Sequence, residues 1–446
     1  KESINPTVVK PMDDTFQSHK FEYVRTSTAN YSSARELMFQ FNGNATDQLD
    51  LANTTFTVEL QILKKDGTPY GEEIKTALNN NAYLRENIFH NLWSDVEIYI
   101  NNQMIKIPMH DYARTTYMWK CMTSEKADLD YESHSVDFRL MNVDLDPTHL
   151  PPTTEAGIEN EEEKPYTEAY QKYVAGSPLF QLTGCIEHPF LRQKTMLPPG
   201  IPFTVRMIRN DSSLLFQTAA VGNAPVILIK DAYFRLKRLR LTPQAQEEQN
   251  RAVVESRIMR FPLKVLQMVK LNMQAQNTVF HFHQALTGEV PQRGILGFVR
   301  DEASERGNVT KHPFYFEDVG IKEMRLIYDN KTYPSPQGYK FVEGSKTLLS
   351  KEMYRQVMSV FHEKIARAGL SYEKWLKRMF FLTFDFTAQC DAKNIEGYTQ
   401  PSSVGDIRFE IELSKPLENT MMALFLGERD CTLNIAIPTL MIDVQD

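Results

Sequence analysis

Alternation between apolar and polar residues predicts that β-strands dominate this chain. In the segment FTVELQIL, which begins at Phe56, the side chains of Val58, Leu60 and Ile62 would point to one face of a strand and the polar side chains to the other. The same kind of pattern predicts further strands over Val96–Ile100, Met104–Ile107, Phe203–Ile208, Val226–Leu241, Phe261–Met268, Val279–Gln284, Ile295–Arg300, Met324–Tyr328, Phe380–Thr387, Ile407–Leu413 and Leu433–Met441. Many short strands separated by turn residues predict an all-β fold, either a sandwich or a barrel.

A tight turn and a few helices are predicted between these strands. The dipeptide Asn101-Asn102 separates two strands, and because asparagine tolerates a positive φ, a two-residue hairpin is expected there. One helix is predicted over Asp111–Lys126. A clearer helix is predicted over Ser350–Gly369, with Ser350 as its N-cap, the glycine just past its end and apolar residues at i, i+4 spacing. A short helix over Tyr372–Arg378 follows it.

The polar segment 242–256, TPQAQEEQNRAVVES, separates two strand-rich halves. In the first half, Gly200 precedes the alternating segment FTVRMIR, which is followed by a loop and a long apolar strand from Val226. In the second half, Gly405 precedes the alternating segment IRFEIEL, which is followed by a loop and a long apolar strand from Leu433. This similarity indicates a duplication of one all-β unit.

The segment 142–178 separates two parts of the first half. It is rich in proline, threonine and glutamate and includes the sequence TTEAGIENEEEKP. A segment of this composition is expected to be a solvated, mobile loop. Loops of this length in a compact domain are usually functional or form exposed decoration.

Several segments together resemble the major capsid proteins of the Polinton and adintovirus group, which are large DNA elements and viruses of eukaryotes. In the first half the resemblance rests on DQLDLANTTFTVELQI from Asp47, on HNLWSDVEIYIN from His90, and on the tyrosine-rich helix that follows. In the second half it rests on His312–Phe316 (HPFYF), which is similar to the family's NPFxF element with His in place of Asn. The strands LTFDFT from Leu382 and GDIRFEIEL from Gly405 are similar to two further strands of the family.

The resemblance covers most of residues 45–445 and implies an all-β double jelly roll with a few short helices in the loops. The chain would consist of an N-terminal arm (1–44), a first eight-stranded jelly roll (45–242) with the exposed loop 142–178, and a second jelly roll (257–446). Three copies would form a pseudo-hexagonal, hexon-like capsomer, and capsomers would build an icosahedral shell around double-stranded DNA. The implied partners are other copies of this chain and a single jelly-roll (penton) protein at the vertices. The implied location is the virion, after synthesis inside the host cell.

The composition is that of a soluble globular protein long enough for two domains. Of its 446 residues, 42% are hydrophobic and 24% are charged. The formal net charge of −7 gives no support for a direct DNA-binding role, so packaged DNA is expected to be bound at most non-specifically. No stretch approaches the roughly 20 apolar residues of a membrane helix, and the first residues lack the apolar region of a secretory signal. We therefore expect no membrane insertion.

Candidate catalytic and metal-binding residues are few. His281 and His283 would share one face of a strand and could bind a metal, but a third ligand with suitable spacing is missing. The four cysteines are far apart and show no C-x-x-C spacing, and no nucleophile-elbow, zincin or phosphate-loop motif occurs. A dense set of carboxylates shows neither calcium-loop spacing nor a recognisable acid–base pair: Asp128, Asp130, Glu132, Asp144 and Asp146. We therefore predict neither an enzyme nor a cofactor.

The segment IKDAYFRLKRLRL, from Ile229, is rich in basic residues. Arg235 and Lys237 would share one face of a strand, and the alternation then slips, as at a β-bulge. One interpretation is a basic strip that faces the packaged genome or an acidic neighbouring subunit, formed by Arg235, Lys237, Arg238 and Arg240. The other interpretation is a solvated strand face or a set of intramolecular ion pairs.

The sequence therefore leads to two functional hypotheses. The first is a structural virion protein that assembles by burying apolar faces between subunits. The alternative is a capsid-derived or lectin-like jelly-roll binding module that does not assemble into shells. Stable trimers or closed shells would favour the first hypothesis, and a small oligomer with an exposed aromatic platform for glycans would favour the second.

Overall fold

In the computed structural model of this chain, all the named strands pair in antiparallel fashion. The structure describes residues 15–30, 32, 34–43, 46–71, 82–107, 111–136, 172–211, 214–218, 225–304, 312–340, 346–387, 404–437 and 439–445. These residues form two β-sandwiches, the first before and the second after residue 257.

The first sandwich is built from two four-stranded sheets. Its strands are β1 (Phe16–Arg25), β2 (Glu36–Phe41), β3 (Gln48–Leu63), β4 (Ala82–Leu84), β5 (Trp93–Ile100), β6 (Gln103–Met104), β7 (Leu179–Gly184), β8 (Phe203–Arg209), β9 (Phe216–Thr218) and β10 (Val226–Leu241). Sheet A has the order β1-β10-β3-β7 and sheet B the order β2-β8-β5-β6, while β4 and β9 form a separate ribbon. The core lies between the sheets, where the ring of Phe39 in sheet B meets those of Phe56 and Phe234 in sheet A at 5.6 and 4.9 Å.

The second sandwich repeats this arrangement. Its strands are β11 (Ile258–Met273), β12 (Val279–Glu289), β13 (Arg293–Arg300), β14 (Ile321–Tyr328), β15 (Lys331–Tyr333), β16 (Tyr339–Lys340), β17 (Phe381–Asp385), β18 (Val404–Leu413), β19 (Met421–Ala436) and β20 (Ile442–Gln445). Sheet A′ has the order β11-β19-β13-β17 with β20 beside β19, and sheet B′ the order β12-β18-β14-β15 with β16 beside β14. Phe409 of sheet B′ packs between Phe384 and Phe425 of sheet A′, at 6.2 and 5.1 Å.

The two sandwiches share one topology. Taken in chain order, β1, β2, β3, β5, β6, β7, β8 and β10 correspond to β11, β12, β13, β14, β15, β17, β18 and β19, and the strand orders of the sheets then coincide. Eight strands in two four-stranded sheets of this order form a jelly roll, so the predicted double jelly roll is confirmed. Of the two glycines that indicated a duplication, Gly200 precedes β8 and Gly405 is the second residue of the corresponding strand β18.

Short helices lie in the connections between strands. They are α1 (Ile88–Asn91), α2 (Tyr112–Thr123), α3 (Lys126–Ser135), α4 (Pro189–Arg192), α5 (Pro243–Ser256), α6 (Asp301–Ser304), α7 (Lys346–Ser359) and α8 (Tyr372–Lys377), with a 3₁₀ turn at Ile365–Arg367. Helices α2 and α3 follow β6 and precede β7, and helices α7 and α8 occupy the corresponding connection between β15 and β17.

The two longer predicted helices differ from the observed ones. Helix α7 begins before the predicted N-cap Ser350 and ends at Ser359. Phe361, which continues the apolar periodicity, lies in the following loop and packs edge-on against Trp119 at 5.6 Å, so a tertiary contact overrides the periodic pattern. The helix predicted over Asp111–Lys126 is observed as α2 and ends at Thr123, and a second, unpredicted helix, α3, begins at Lys126 behind the capping box of Glu125.

The predicted N-terminal arm and the predicted linker both contain regular structure. Strands β1 and β2 lie within residues 1–44 and pair with β10 and β8, so this region contributes to both sheets of the first sandwich. Residues 1–14 lie outside the described part. The segment 242–256 is mostly helix α5, because Pro243 occupies the first turn after the N-cap Thr242 and the following Gln, Glu and Ala favour a helix.

The predicted hairpin is confirmed, and one end of the predicted loop is corrected. Asn101 and Asn102 have φ values of 47° and 62° and connect β5 to β6. Most of the loop predicted over 142–178 lies outside the described residues. Its described end, from residue 172, is not exposed decoration, because Tyr173 and Val174 are buried and the Tyr173 ring meets Phe180 at 4.6 Å.

Candidate functional site

The outer face of sheet A′, the face turned away from sheet B′, is mostly apolar and buried. Phe425 points into the core of the second sandwich, so its neighbours Leu424 and Leu426 on β19 lie on the outer face. Ile295 of β13 is paired with Leu426 and shares this face. All three outer side chains are at most 1% exposed, which requires that another part of the chain covers them.

Helix α2 of the first sandwich lies on this face, beside α7 of the second sandwich, whose Val357 carbonyl accepts a hydrogen bond from the Thr383 hydroxyl on β17 at 2.9 Å. At the start of the helix, Asp111 accepts a hydrogen bond from the ammonium of Lys270 on β11 at 2.8 Å. Towards its end, the Trp119 ring lies 5.1 Å from the guanidinium of Arg293 on β13 and 5.6 Å from the Phe361 ring. The contact between the two sandwiches is therefore made by a helix of one and a sheet of the other.

A cluster of buried charged and polar side chains lies at the same contact. Glu86 of the first sandwich is fully buried, and Arg378 of the second donates to its Oε1 from Nη2 at 2.7 Å. The hydroxyl of Tyr117 on α2 donates to the same oxygen at 3.2 Å. His312 of the second sandwich places Nε2 3.3 Å from Glu86 Oε2 and 2.9 Å from Arg378 Nη2. We call these four side chains the joint cluster.

The joint cluster holds one negative and one positive charge and a neutral imidazole. Burial alone would raise the pKa of Glu86, but the charge of Arg378 and a hydrogen bond from His312 outweigh this effect and hold that pKa well below its usual range. Burial, as the largest cause, and Arg378 lower the pKa of His312 to about 4, against the opposite effect of Glu86. Its Nδ1 accepts a hydrogen bond from the backbone N–H of Phe314 at 3.2 Å, which a protonated nitrogen could not do. The cluster therefore depends on the correct ionisation state of groups from both sandwiches.

The HPFYF segment that contributed to the family resemblance lies at this contact. The rings of Phe314 and Phe316 are fully buried and lie 4.5 and 6.3 Å from the ring of Tyr117 on α2. The tripeptide HPF occurs a second time at His188-Pro189-Phe190, where the buried histidine again accepts from the backbone N–H two residues later. This repetition was visible in the sequence, whereas nothing in the sequence indicated that Glu86 and Arg378 would meet.

Ion pairs occupy most of the predicted basic strip. Arg238 is buried and pairs with Glu22, so it does not contribute to an exposed surface. Lys237 lies 3.1 Å from an oxygen of Asp50, and Arg240 lies 3.0 Å from an oxygen of Asp47. Burial alone would raise the pKa of the Asp47 carboxyl, but hydrogen bonds from Lys20 and Arg240 outweigh this and lower it. The predicted slip in alternation after Lys237 is observed in the burial pattern, since Arg238 and Leu239 are both buried. The pairing of β10 with β3 is irregular nearby, between Arg235 and Lys237.

Arg235 belongs to a different environment, the outer face of sheet A. Its guanidinium lies over the ring of Phe21 at 3.9 Å. On the same face, Tyr23 and Tyr233 meet edge-on at 5.7 Å, and Gln181 donates to the Tyr233 hydroxyl at 3.1 Å. Tyr23 is 62% exposed and Phe21 is 44% exposed. The corresponding sheets of the two sandwiches thus differ: the outer face of sheet A is exposed and the outer face of sheet A′ is covered.

The remaining candidate residues form no reactive arrangement in the described part of the chain. The rings of His281 and His283 are stacked at 6.2 Å on the exposed side of β12, and no group of three potential metal ligands occurs among the described residues. Asp128 belongs to the capping box of α3, and Glu132 pairs with Lys120, while Asp144 and Asp146 lie outside the described residues. A shallow cleft of 210 Å³ beside the β14–β15 turn is lined by polar and apolar groups that include no histidine, serine or cysteine.

Comparisons with known proteins identify the fold. No protein-family model and no curated protein matches the sequence. A chain from the cryo-EM structure of the Sputnik virophage matches with a TM-score of 0.63 at 11% identity, covering 99% of this chain and 91% of that one. A chain of the PBCV-1 virus capsid matches with a TM-score of 0.55 at 9% identity, covering 99% of both chains. The Faustovirus major capsid protein matches with a TM-score of 0.52 at 10% identity, covering 97% of this chain and 93% of that one.

None of the helices in the described residues is both long enough and apolar enough to cross a membrane. The architecture, the shared topology of the two sandwiches and these structural matches lead to one conclusion about the fold. The chain has the double jelly-roll fold found in these viral capsid chains.

Proposed function

We propose that this protein is the major capsid protein of a double-stranded DNA virus or virus-like element. One observation supports the proposal most strongly: the fold matches the virophage chain over nearly the whole length of both chains, at a TM-score of 0.63. A function that depends on architecture can persist at 11% identity, because packing and topology tolerate extensive substitution when the pattern of buried residues is kept. The Polinton and adintovirus group remains our specific proposal for its source, on the segments quoted above.

The proposed mechanism is passive assembly. Because each chain contains two sandwiches, a trimer would contain six similar units, which can be arranged as a pseudo-hexagonal capsomer. Contacts between capsomers and with a single jelly-roll protein at the vertices would complete an icosahedral shell. The interfaces within a trimer are expected to be large and partly apolar, and they would cover exposed sheet faces and edges.

The loop 142–178 and the basic strip have more specific proposed roles. We propose that the undescribed part of the loop forms decoration on the outside of the capsid, because its composition is polar and acidic. For the strip, the ion pairs of Lys237, Arg238 and Arg240 favour a role inside the subunit. Arg235, which has an aromatic ring and no carboxylate as its described contact, is the member best suited to contact a neighbouring subunit.

The proposal is tested by the mass of the purified protein in solution. Light scattering after gel filtration should give about three times 51.6 kDa, and negative-stain images of the same fractions should show pseudo-hexagonal particles or closed shells. A monomer that never assembles, at any concentration or ionic strength tested, would contradict the capsid role. In that case the jelly-roll binding module would become the better hypothesis, and a glycan array would test it.

A further inference from the structure

Helices lie in the same connection of both sandwiches. In the first sandwich α2 and α3 lie between β6 and β7, and in the second α7, the 3₁₀ turn and α8 lie between the corresponding strands β15 and β17. Helix α2 covers the outer face of sheet A′, with contacts that include Asp111 to Lys270 and Trp119 to Arg293. One connection therefore already docks on the outer face of one neighbouring sandwich within the chain.

The counterpart of the covered face is exposed in the single chain. The outer face of sheet A presents Phe21, Tyr23, Tyr233 and Arg235, and no described segment covers these four side chains as α2 covers sheet A′. Helix α5 contacts the other end of this face, where Gln249 donates to Gln48 at 3.3 Å. These side chains are held in place by contacts with one another, so little conformational freedom would be lost when a partner binds. Tyrosine and arginine are also the residues that most often dominate binding energy at protein interfaces.

We propose that the α7–α8 segment (residues 351–377) of a second copy of this chain docks on the outer face of sheet A. This inference rests on the proposed function and specifies which surfaces form the contact between subunits. The contact is head to tail, because a surface of the second sandwich meets a different surface of the first, and such contacts generate closed rings when the rotation permits. The exposed partner surface includes Leu376 on α8, which is 39% exposed, beside Glu373 and Lys377.

The chemistry of the two faces fits this arrangement. The face covered within the chain carries Leu424, Leu426 and Ile295, and its charged residues Arg293 and Glu428 pair with each other and are largely buried. The face proposed to meet another chain is in contact with water before assembly. Aromatic side chains mixed with paired charges tolerate that exposure. Arg25 and Asp231 form one such pair at 3.2 Å on this face. A mixed polar and aromatic character is typical of interfaces that form between separately folded chains.

Photo-cross-linking tests the proposal directly. A photoreactive phenylalanine analogue would replace Tyr23, with the analogue at Tyr131 as a control, because Tyr131 is an exposed tyrosine on α3 of the same sandwich. Mixing isotopically light and heavy chains before irradiation distinguishes links between chains from links within one chain. We expect the Tyr23 variant to give links between chains to peptides within residues 351–377 and the Tyr131 variant to give none there. Links between chains that map elsewhere would overturn the proposal.

A substitution at the same position provides the second measurement. Tyr23→Asp should weaken self-association at least tenfold in sedimentation equilibrium, whereas Tyr131→Asp should leave it within about twofold. Circular dichroism and thermal unfolding of both variants would show that each remains folded. If the unmodified protein forms trimers and Tyr23→Asp leaves their stability unchanged, the proposed surface is wrong while the capsid role remains. If the unmodified protein forms no oligomer, the proposed function itself fails, and this inference fails with it.

Discussion

Sheets A and A′ occupy the same place in two copies of one topology, yet their outer faces have opposite character. On β19 the outward side chains Leu424 and Leu426 are almost completely buried beneath a helix of the other sandwich. On β10 the outward side chains Tyr233 and Arg235 are partly exposed and contact residues of the edge strand β1. The difference teaches that topology alone does not determine the chemistry of a sheet face. The residue types on a face depend instead on what covers it, and on whether the cover belongs to the same chain.

The same comparison explains why the second sandwich depends on the first. Removing α2 would expose a contiguous, mostly apolar surface on sheet A′ and would remove Tyr117, which donates a hydrogen bond to Glu86 in the joint cluster. The first sandwich would instead lose a contact of one helix and retain a polar outer sheet face. The predictions below address these two consequences, from the largest expected effect to the smallest.

Breaking the joint cluster should have the largest effect on stability. Glu86→Gln would leave Arg378 buried without its opposite charge, and removing one partner of a buried ion pair costs about 3–5 kcal/mol. The matched control is Glu97→Gln, which removes a partly exposed partner of Arg206 and should cost about 1 kcal/mol or less. Urea denaturation followed by circular dichroism measures both. Equal losses for the two variants would show that the joint cluster contributes no more to the free energy of unfolding than a partly exposed ion pair does.

Truncating the covered face should have a slightly smaller effect. Leu426→Ala removes a buried outer side chain of sheet A′ and should cost about 2–5 kcal/mol, because the cavity beneath α2 cannot collapse fully. Glu59→Ala changes an outward position on β3 of sheet A and should alter stability by no more than about 0.5 kcal/mol. Thermal unfolding of both variants tests the comparison. A loss for Leu426→Ala below about 1 kcal/mol would mean that the face is not tightly covered.

Acid should weaken the contact between sandwiches. The pKa of His312 is about 4 in the folded protein and about 6.5 when unfolded, so the unfolded chain binds more protons in this range. The contribution of His312 is therefore complete above about pH 6.5 and is lost as the pH falls towards 4. Between pH 6.5 and 5 this residue alone should lower the free energy of unfolding by about 2 kcal/mol.

Variants separate His312 from other groups that titrate in this range. Burial also lowers the pKa of His188, to about 3, so some acid sensitivity should remain in His312→Gln. The pH dependence of urea denaturation should nevertheless be shallower for His312→Gln than for the unmodified protein. His281→Gln, which changes an exposed ring on β12, serves as the control. Identical slopes in the unmodified protein and His312→Gln would refute the role assigned to this histidine.

Substitutions on the exposed face should affect folding least. Replacing Arg235 and Lys237 by Ser together should lower stability by about 1 kcal/mol or less, because their contacts are partly solvated. The informative measurements are self-association and the DNA content of assembled particles. Normal assembly with reduced DNA content would support the genome-facing interpretation, and weakened self-association would support contact with another subunit. No change in either measurement would leave only the role in intramolecular pairing.

Much of the fold could be predicted from the sequence because its signals are local. Alternation identified the long strands, and the pair Asn101-Asn102 identified the hairpin, since both depend on neighbouring residues. The slip in alternation near Arg238 is likewise a local pattern in the sequence, and the structure shows Arg238 and Leu239 both buried. The strand β1 was missed and its region was assigned to an arm, because β1 is an edge strand with an exposed pattern of mixed polar and aromatic residues.

The candidate site could be predicted only in part, because it depends on residues far apart in the sequence. The HPFYF segment was singled out by its resemblance to the family, and the structure adds that its rings pack on Tyr117. The pairing of Glu86 with Arg378 joins positions 292 residues apart, and no local pattern encodes it. The same is true of the basic strip, where the choice between a free surface and ion pairs depended on carboxylates from β1 and β3.

A cryo-EM map of the purified, assembled protein would test the central claim most directly. The claim is that corresponding connections cover both outer sheet faces. Helix α2 covers sheet A′ within each chain, and the α7–α8 segment of another copy covers sheet A. We predict a trimer of six sandwiches in which density for residues 351–377 of each copy lies against Tyr23 and Tyr233 of the next. A trimer in which that face of sheet A remains exposed to solvent would contradict the account.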